Sequence, residues 1–419
     1  MSLREKVKRY APGFARDAVI AARTKLSAPP LEQIALHDYT LIPDPGSPGR
    51  LTLVIPTVAA KAIFGGVATG LDFFFALAKA LNRPARIVID DFNDATDHAY
   101  IRRAADAAGY GAGSIECVGR TAQNQELPVR KDDLFLAYNW WTALNLRGLL
   151  AQQTNCFGGA SPKPLLYILQ EYEPSFHAMS STHMMARAAL DSKDRTFGIF
   201  NSHELRAYFH AQDHAFEREF IIPLRMSRSL KAARRGEEPQ KSPIVLVYGR
   251  PSVARNCFPA IVASLKNFVG RHEEFHDWSF ESAGEAHGPV DLGCGKRLLS
   301  LGKISIHDYA RKLETAAVGL SLMSSPHPSY PPLEMAHFGL LTVTNRYACK
   351  DLSTAHENIL SIENILPQTI AGALARQCHA FRADRQAGWR GKSHLPAYFS
   401  DEAYPFMNEI VEAIRPEIA

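Results

Sequence analysis

The chain predicts an α/β fold of two Rossmann-like domains facing each other across an interdomain cleft. Three observations carry this. Short apolar runs alternate with helical stretches, a polar segment interrupts the alternation, and the alternation then restarts. The 419 residues leave room for two domains of ordinary size. Alternation of this kind indicates parallel sheets covered on both faces, with ligands bound outside the carboxyl ends of the strands.

In order, Leu51–Ile55 reads as a buried strand, Gly65-Gly66 as a turn, and Val67–Leu81 as a helix. Arg86–Ile89 is a second strand, Asp97–Ala108 a second helix, and Ile115–Val118, Leu134–Tyr138, Leu165–Leu169 and Thr196–Phe200 complete the first series. Ser227–Ser242 is polar, charged and broken by Gly236 and Pro239, and is the natural linker. Beyond it come the strand Ile244–Tyr248, the helix Pro259–Phe268, the strand Trp278–Ser282, a strand near Leu298–Leu301, the helix Ser305–Ala316, and the strand Val318–Met323. Pro331-Pro332 then opens a short helix, because the first turn leaves its amides without intrahelical partners. The strand Leu340–Thr344 follows, and Asp401–Ile414 reads as a last helix. The domains expected are a basic helical arm over 1–28, an N-terminal domain over 29–240, and a C-terminal domain over 241–397, with 398–419 packing back on the first.

Composition narrows the function classes. A net charge of +4 is too small to argue for nucleic acid, so none is expected as a partner. Cys117, Cys156, Cys257, Cys294, Cys349 and Cys378 show neither a CxxC pair nor zinc spacing, and read as reduced thiols of a cytoplasmic protein. No apolar run reaches the ~20 residues that span a bilayer. The arm up to Leu26 is strongly basic and offers either a peripheral contact with an anionic inner membrane surface or a solvated helix.

The chemistry concentrates beyond the strand ends of the second half. Arg250 and Arg255 follow the strand ending at Tyr248, Gly284-Glu285 follow the next, and Gly302-Lys303 follow Leu301. Tyr330 and Glu334 lie on the loop and helix that begin at Ser325. Two arginines, a lysine and a helix N-terminus form an anion clamp suited to a diphosphate, although Arg255 alone reads better as a solvated surface cation. In the first half, Gly65-Gly66 allows close approach to a sugar or phosphate, or is an ordinary turn. Glu171 and Glu173, after the strand Leu165–Leu169, form an acid pair able to orient an acceptor hydroxyl or act as base; the bland reading is a surface loop. Trp140-Trp141 reads as core before it reads as a sugar platform. Asp90-Asp91-Phe92-Asn93-Asp94 suits a divalent ion less well than a turn and helix cap, so no metal site is expected. His327 occupies the key loop, whereas His183, His203 and His337 read as structural.

The stretch from Val247-Tyr248-Gly249-Arg250 to Gly339, with Leu301-Gly302-Lys303, Ser325-Pro326-His327-Pro328-Ser329-Tyr330 and Tyr330-Pro331-Pro332-Leu333-Glu334, resembles GT-B glycosyltransferases of family 4, above all the bacterial rhamnosyltransferases of the WsaF type. Gly65-Gly66 and Leu169–Pro174 extend the likeness into the first half. The resemblance implies transfer of L-rhamnose from dTDP-L-rhamnose to a saccharide or lipid-linked glycan, without metal or other cofactor. It implies that Arg250 and Lys303 neutralise the leaving diphosphate. It gives Glu334 the nucleotide's sugar hydroxyls, and gives Ser329, Tyr330, Leu333, His327 and Arg255 further donor contacts. The wider family carries a glutamate eight residues before Glu334; here Pro326 stands there, which fits a donor with fewer hydroxyls. Two other readings are a non-catalytic glycan- or nucleotide-binding component of an assembly complex and a sugar-nucleotide epimerase.

Overall fold

A computed structural model describes residues 36–60, 63, 65–90, 96–111, 115–119, 125–235 and 238–418. The basic arm and Asp91–Asp94 lie outside the described residues. The chain divides into two compact units, Met1–Leu165 and Leu166–Ala419.

In the first unit, β1 (Thr40–Pro43) is followed by β2 (Leu51–Ile55), α1 (Gly65–Ala80), β3 (Ala85–Ile89), α2 (His98–Ala107), β4 (Ile115–Gly119), β5 (Glu126–Val129), β6 (Leu134–Ala137) and α3 (Trp140–Phe157). Strands β4, β3, β2 and β6 lie side by side, all parallel. Every residue of β2, β3 and β6 is buried, as strands covered on both faces require. Gly65 and Gly66 are the first two residues of α1, which corrects the expected turn. Trp140, 1% exposed, opens α3 from within the core, and Asn139 caps that helix by accepting the Thr142 N–H. Asp90 is buried and accepts hydrogen bonds from Tyr39 Oη (2.7 Å) and Asn145 Nδ2 (3.1 Å).

The second unit begins within β7 (Leu165–Leu169) and continues through α4 (Ser181–Asp191), β8 (Thr196–Phe200), α5 (His203–Ala211) and β9 (Arg218–Ile221), with β8 and β9 parallel. The expected linker contains a helical turn and a half, α6 (Arg228–Ala233), because Leu230 is buried against neighbouring apolar side chains. Next come β10 (Ser242–Gly249), α7 (Phe258–Arg271), β11 (Ser279–Gly284), β12 (Val290–Gly293), β13 (Lys296–Gly302), α8 (Ile306–Thr315), β14 (Ala316–Leu320), α9 (Tyr330–His337), β15 (Leu341–Asn345), β16 (Ile359–Ile362), α10 (Pro367–Ala383) and α11 (Ala387–Arg390). The last seven strands form one sheet in the order β12-β13-β11-β10-β14-β15-β16, parallel except for the edge hairpin β12-β13. From β10 the chain moves outward to β11 and β13, then returns across β10 to β14. The crevice between the ends of β10 and β14 is therefore the switch point where open α/β sheets bind ligands.

The last helix, α12, spans only Met407–Ile414, shorter than the 401–414 expected, and Pro405 just before it cannot donate a backbone hydrogen bond. Phe406 stacks on Phe220 of β9 at 5.6 Å, and Arg195 pairs with Glu417 at 2.6 Å.

Candidate functional site

Four side chains singled out from sequence lie beyond strands of the second sheet, with β11 between β13 and β10. Arg250 follows β10, Lys303 follows β13, and the segment carrying Tyr330 and Glu334 follows β14. Gly284 makes the close spacing possible: its φ of +136° suits glycine, and a Cβ there would lie 2.6 Å from the Gly249 carbonyl oxygen. Glu285 accepts from Ser252 N (3.0 Å) and Ser252 Oγ (2.8 Å), which tethers the loop after β11 to the loop after β10. Arg250 is half-buried and hydrogen-bonds the Tyr248 hydroxyl; burial raises the pKa of that phenol, and the guanidinium opposes the rise. Lys303 is exposed and follows Gly302, whose φ is +68°.

The start of α9 is strained and short of donors. Ser329, its N-cap, holds φ +70°, a conformation that costs a non-glycine residue energy and persists only where surroundings enforce it. Of the first three helical residues only Tyr330 keeps an N–H, since 331 and 332 are prolines. A phosphate at this terminus meets the helix dipole and few amides, so the cations from neighbouring strand ends carry more of the charge. Leu333 is fully buried in the core of the unit, so its side chain packs against other apolar groups.

Glu334 sits one turn further on. Burial pushes its carboxyl up to about 7, against the one hydrogen bond that Tyr309 Oη of α8 donates to Oε2 at 3.0 Å. Burial raises the pKa of Tyr248, Tyr330 and Tyr398, and in all three the nearby Glu334 charge adds to the rise. Sequence did not single out Tyr309, whose place on a helix shows nothing of its partner 25 residues away.

A second cluster joins the loop after β14 to the ends of β7 and β8. Glu171 accepts a short hydrogen bond from Ser325 Oγ, and Ser325 Oγ accepts the His327 N–H at 2.9 Å. Burial raises the Glu171 carboxyl, while Ser325 and Arg255 oppose the rise. Arg255 Nε lies 3.9 Å from Glu171 Oε2, and the guanidinium covers the Phe176 ring at 4.9 Å, so this cation serves the Glu171 cluster. Lys350 is 1% exposed, and its Nζ donates to the Met323 carbonyl at 2.7 Å; burial pulls its pKa down to about 8 and Glu171 opposes the fall. Asn345 clamps the same residue, accepting Met323 N–H at 2.8 Å and donating to Met323 O at 3.1 Å. The loop is thus fixed at its root before Ser325 begins. Glu173 takes a different partner, accepting from Tyr167 Oη at 3.0 Å, so the two acids do not act as a pair on one hydroxyl.

His327, 7% exposed, is neutral because burial pulls its pKa to about 3. Its Nδ1 accepts the Ser329 N–H at 3.0 Å, which leaves the ring proton on Nε2. Nε2 lies 3.2 Å from the Asn201 amide, which also lies 3.5 Å from Tyr330 Oη. With the amide oxygen turned to the imidazole, it accepts the Nε2–H, and the amide nitrogen then donates to Tyr330 Oη. Asn201 directly follows β8, and that strand-end position was the one signal in the sequence that pointed to it. Among the described residues no group of three or more His, Cys, Asp or Glu is placed to hold a metal ion.

Comparisons with known proteins decide the family. Residues 50–203 match the model of the WsaF N-terminal domain, and residues 243–375 match that of the WsaF C-terminal domain. The chain belongs to the WsaF family. It is also 30% identical over 324 residues to the O-antigen biosynthesis protein RfbC of Myxococcus xanthus; the match covers 75% of this chain and 23% of that much longer protein. Among solved structures, TarM superposes with a TM-score of 0.57 at 7% identity, covering 90% of this chain and 99% of that one. The lipopolysaccharide outer core galactosyltransferase WaaB gives 0.53 at 10% identity (88% and 99% covered), and the trehalose-6-phosphate synthase OtsA gives 0.52 at 11% (88% and 99% covered). At such identities the likeness establishes the fold, which is GT-B: two Rossmann-like parallel-sheet domains.

Proposed function

We propose that this WsaF-family protein is a glycosyltransferase of cell-surface glycan synthesis that moves L-rhamnose from dTDP-L-rhamnose to a saccharide or lipid-linked glycan acceptor. The observation that carries the proposal is the placing of Arg250, Lys303 and Glu334 after β10, β13 and β14 of one parallel sheet, around its switch point. Breaking the glycosidic bond of a sugar nucleotide leaves growing negative charge on a diphosphate. Two cations and the dipole of α9 would oppose that charge where it develops, the role a divalent ion plays in other transferases. Glu334 would accept a hydroxyl of the nucleotide's own sugar, and Tyr330 would pack beside the donor. Glu171, held by Ser325 and shielded by Arg255, would meet the acceptor hydroxyl. The relative from Myxococcus xanthus, named for O-antigen biosynthesis, supports the surface-glycan setting.

Titration calorimetry with dTDP and a transfer assay with dTDP-L-rhamnose test this reading. The wild type is expected to bind dTDP, and Lys303→Ala to lose about tenfold or more in transfer rate, since a catalytic electrostatic contact is commonly worth that much. Lys303 is exposed, so its loss leaves folding intact. Absence of dTDP binding, or wild-type transfer by the Lys303→Ala variant, would remove the proposal.

A further inference from the structure

A row of hydrogen bonds runs from Glu171 to Tyr330, and each bond fixes the direction of the next. Ser325 Oγ gives its proton to Glu171 and accepts the His327 N–H at 2.9 Å. The Ser329 backbone N–H, which can only donate, reaches His327 Nδ1 at 3.0 Å. The neutral imidazole therefore carries its proton on Nε2. The Asn201 amide lies 3.2 Å from Nε2, so its oxygen faces the ring and accepts that proton. Its NH2 group is then the end that faces Tyr330 Oη, 3.5 Å away, and an NH2 group only donates.

Asn201 is held firmly in this place. Only 5% exposed, it donates its own N–H to the Leu169 carbonyl at 3.0 Å, at the end of β7. A phenol has one proton and two lone pairs. Asn201 occupies a lone pair and leaves the proton without an acceptor, and among the described residues it is the one hydrogen-bond partner of this hydroxyl. Burial raises the phenol's pKa, so the proton stays in place at neutral pH. The row therefore ends on a donor waiting for an oxygen.

The position of the hydroxyl narrows what that oxygen belongs to. Tyr330 opens α9 beside the end of β14, yet its hydroxyl reaches the residue that follows β8, whereas Arg250 and Lys303 follow β10 and β13. A diphosphate belongs with those two cations, and the part of a sugar nucleotide beyond the diphosphate is the transferred sugar. We infer that Asn201 is a positioning residue, which takes a lone pair of the Tyr330 hydroxyl and so directs the phenol's proton to an oxygen of the transferred sugar. The inference rests on the reading of this site as the donor site.

The test is calorimetry on the full chain with dTDP and with dTDP-L-rhamnose, which differ by the transferred sugar. Tyr330→Phe removes the proton. Asn201→Asp keeps the shape of the amide and replaces its NH2 group by an acceptor, to which the phenol donates instead. Each variant is expected to bind dTDP-L-rhamnose about fivefold more weakly and dTDP within about twofold of the wild type. The double variant is expected to lose no more than the larger single loss, because both changes remove the same bond. If Asn201→Asp folds poorly, Asn201→Ser, which is neutral and too short to reach Oη, gives the same comparison. An Asn201 that merely supports the loop would weaken both ligands alike, or add its loss to that of Tyr330→Phe. Either result, or an unchanged affinity for dTDP-L-rhamnose, overturns the inference and leaves the donor site standing. A wild type that binds neither nucleotide overturns the donor reading, and this inference with it.

Discussion

At the scale of single residues, the site holds groups that folding alone would not choose. Glu334 is the plainest case. Its carboxyl ionises near 4.5 in an unfolded chain and at about 7 in the folded one, because burial penalises the charge and one phenol compensates only in part. Between those values the folded state holds a proton that the unfolded state has released. Stability from this group is therefore full below about pH 4.5 and is lost as pH rises to about 7, by about 3 kcal/mol in all. Glu334→Gln cannot ionise and escapes that loss. Urea unfolding is expected to show the variant close to the wild type at pH 4.5 and more stable by about 2–3 kcal/mol at pH 8, while its affinity for dTDP falls. A stability difference that stays constant across this range would show that Glu334 is not buried as a charge. Burial penalises the charge of two bases as well: it pulls Lys350, in the loop after β15, to about 8 and His327, in the loop after β14, to about 3.

At the scale of elements, legibility in the sequence followed the type of physical signal. β2, β3, β6, β7, β8, β10 and β14 are apolar runs buried on both faces, and each stands out from its neighbours. β1 and β5 do not, because they are four-residue strands with exposed positions and a proline each, Pro43 and Pro128. Arg250 and Glu334 were legible because one follows such a strand and the other lies on the helix after one, while Lys303 follows the partly exposed β13 directly after Gly302. Tyr309, Asn345 and Lys350 were not, because their partners lie 22 to 27 residues away on other elements and no periodicity records that pairing. Gly65-Gly66 signalled a turn by composition, yet helix starts accept glycine readily. Gly284 is where backbone conformation decides the matter. Gly284→Ala places a Cβ 2.6 Å from the Gly249 carbonyl oxygen at a φ of +136°, so β10 and β11 must part at the site. A loss of about 2 kcal/mol or more in unfolding free energy is expected, together with weaker dTDP binding. Wild-type stability in that variant would mean that the two strand ends are looser than their geometry indicates.

At the scale of the whole molecule, ligand linkage connects the site to the two compact units. No helix among the described residues is long and apolar enough to cross a membrane, and the net charge is +4. A nucleoside diphosphate that binds only the folded chain stabilises it by about 2.7 kcal/mol at 100 times its Kd. Within the unit Leu166–Ala419 that stabilisation should not be spread evenly. The amides nearest the diphosphate gain most: those around Arg250, Glu285 and Lys303, and those from Ser325 to Glu334, where the strained Ser329 is held by His327. Hydrogen exchange with and without saturating dTDP is expected to slow at those positions, and to stay unchanged at Lys79–Pro84, which leads into the amino-terminal end of β3 in the other unit. Protection confined to Lys79–Pro84, or absent between Ser325 and Glu334, would place the nucleotide away from the switch point of the second sheet. Because Lys303 is exposed and Arg250 half-buried, raising the salt concentration should weaken dTDP binding at the same time, as screening acts on charges that water reaches.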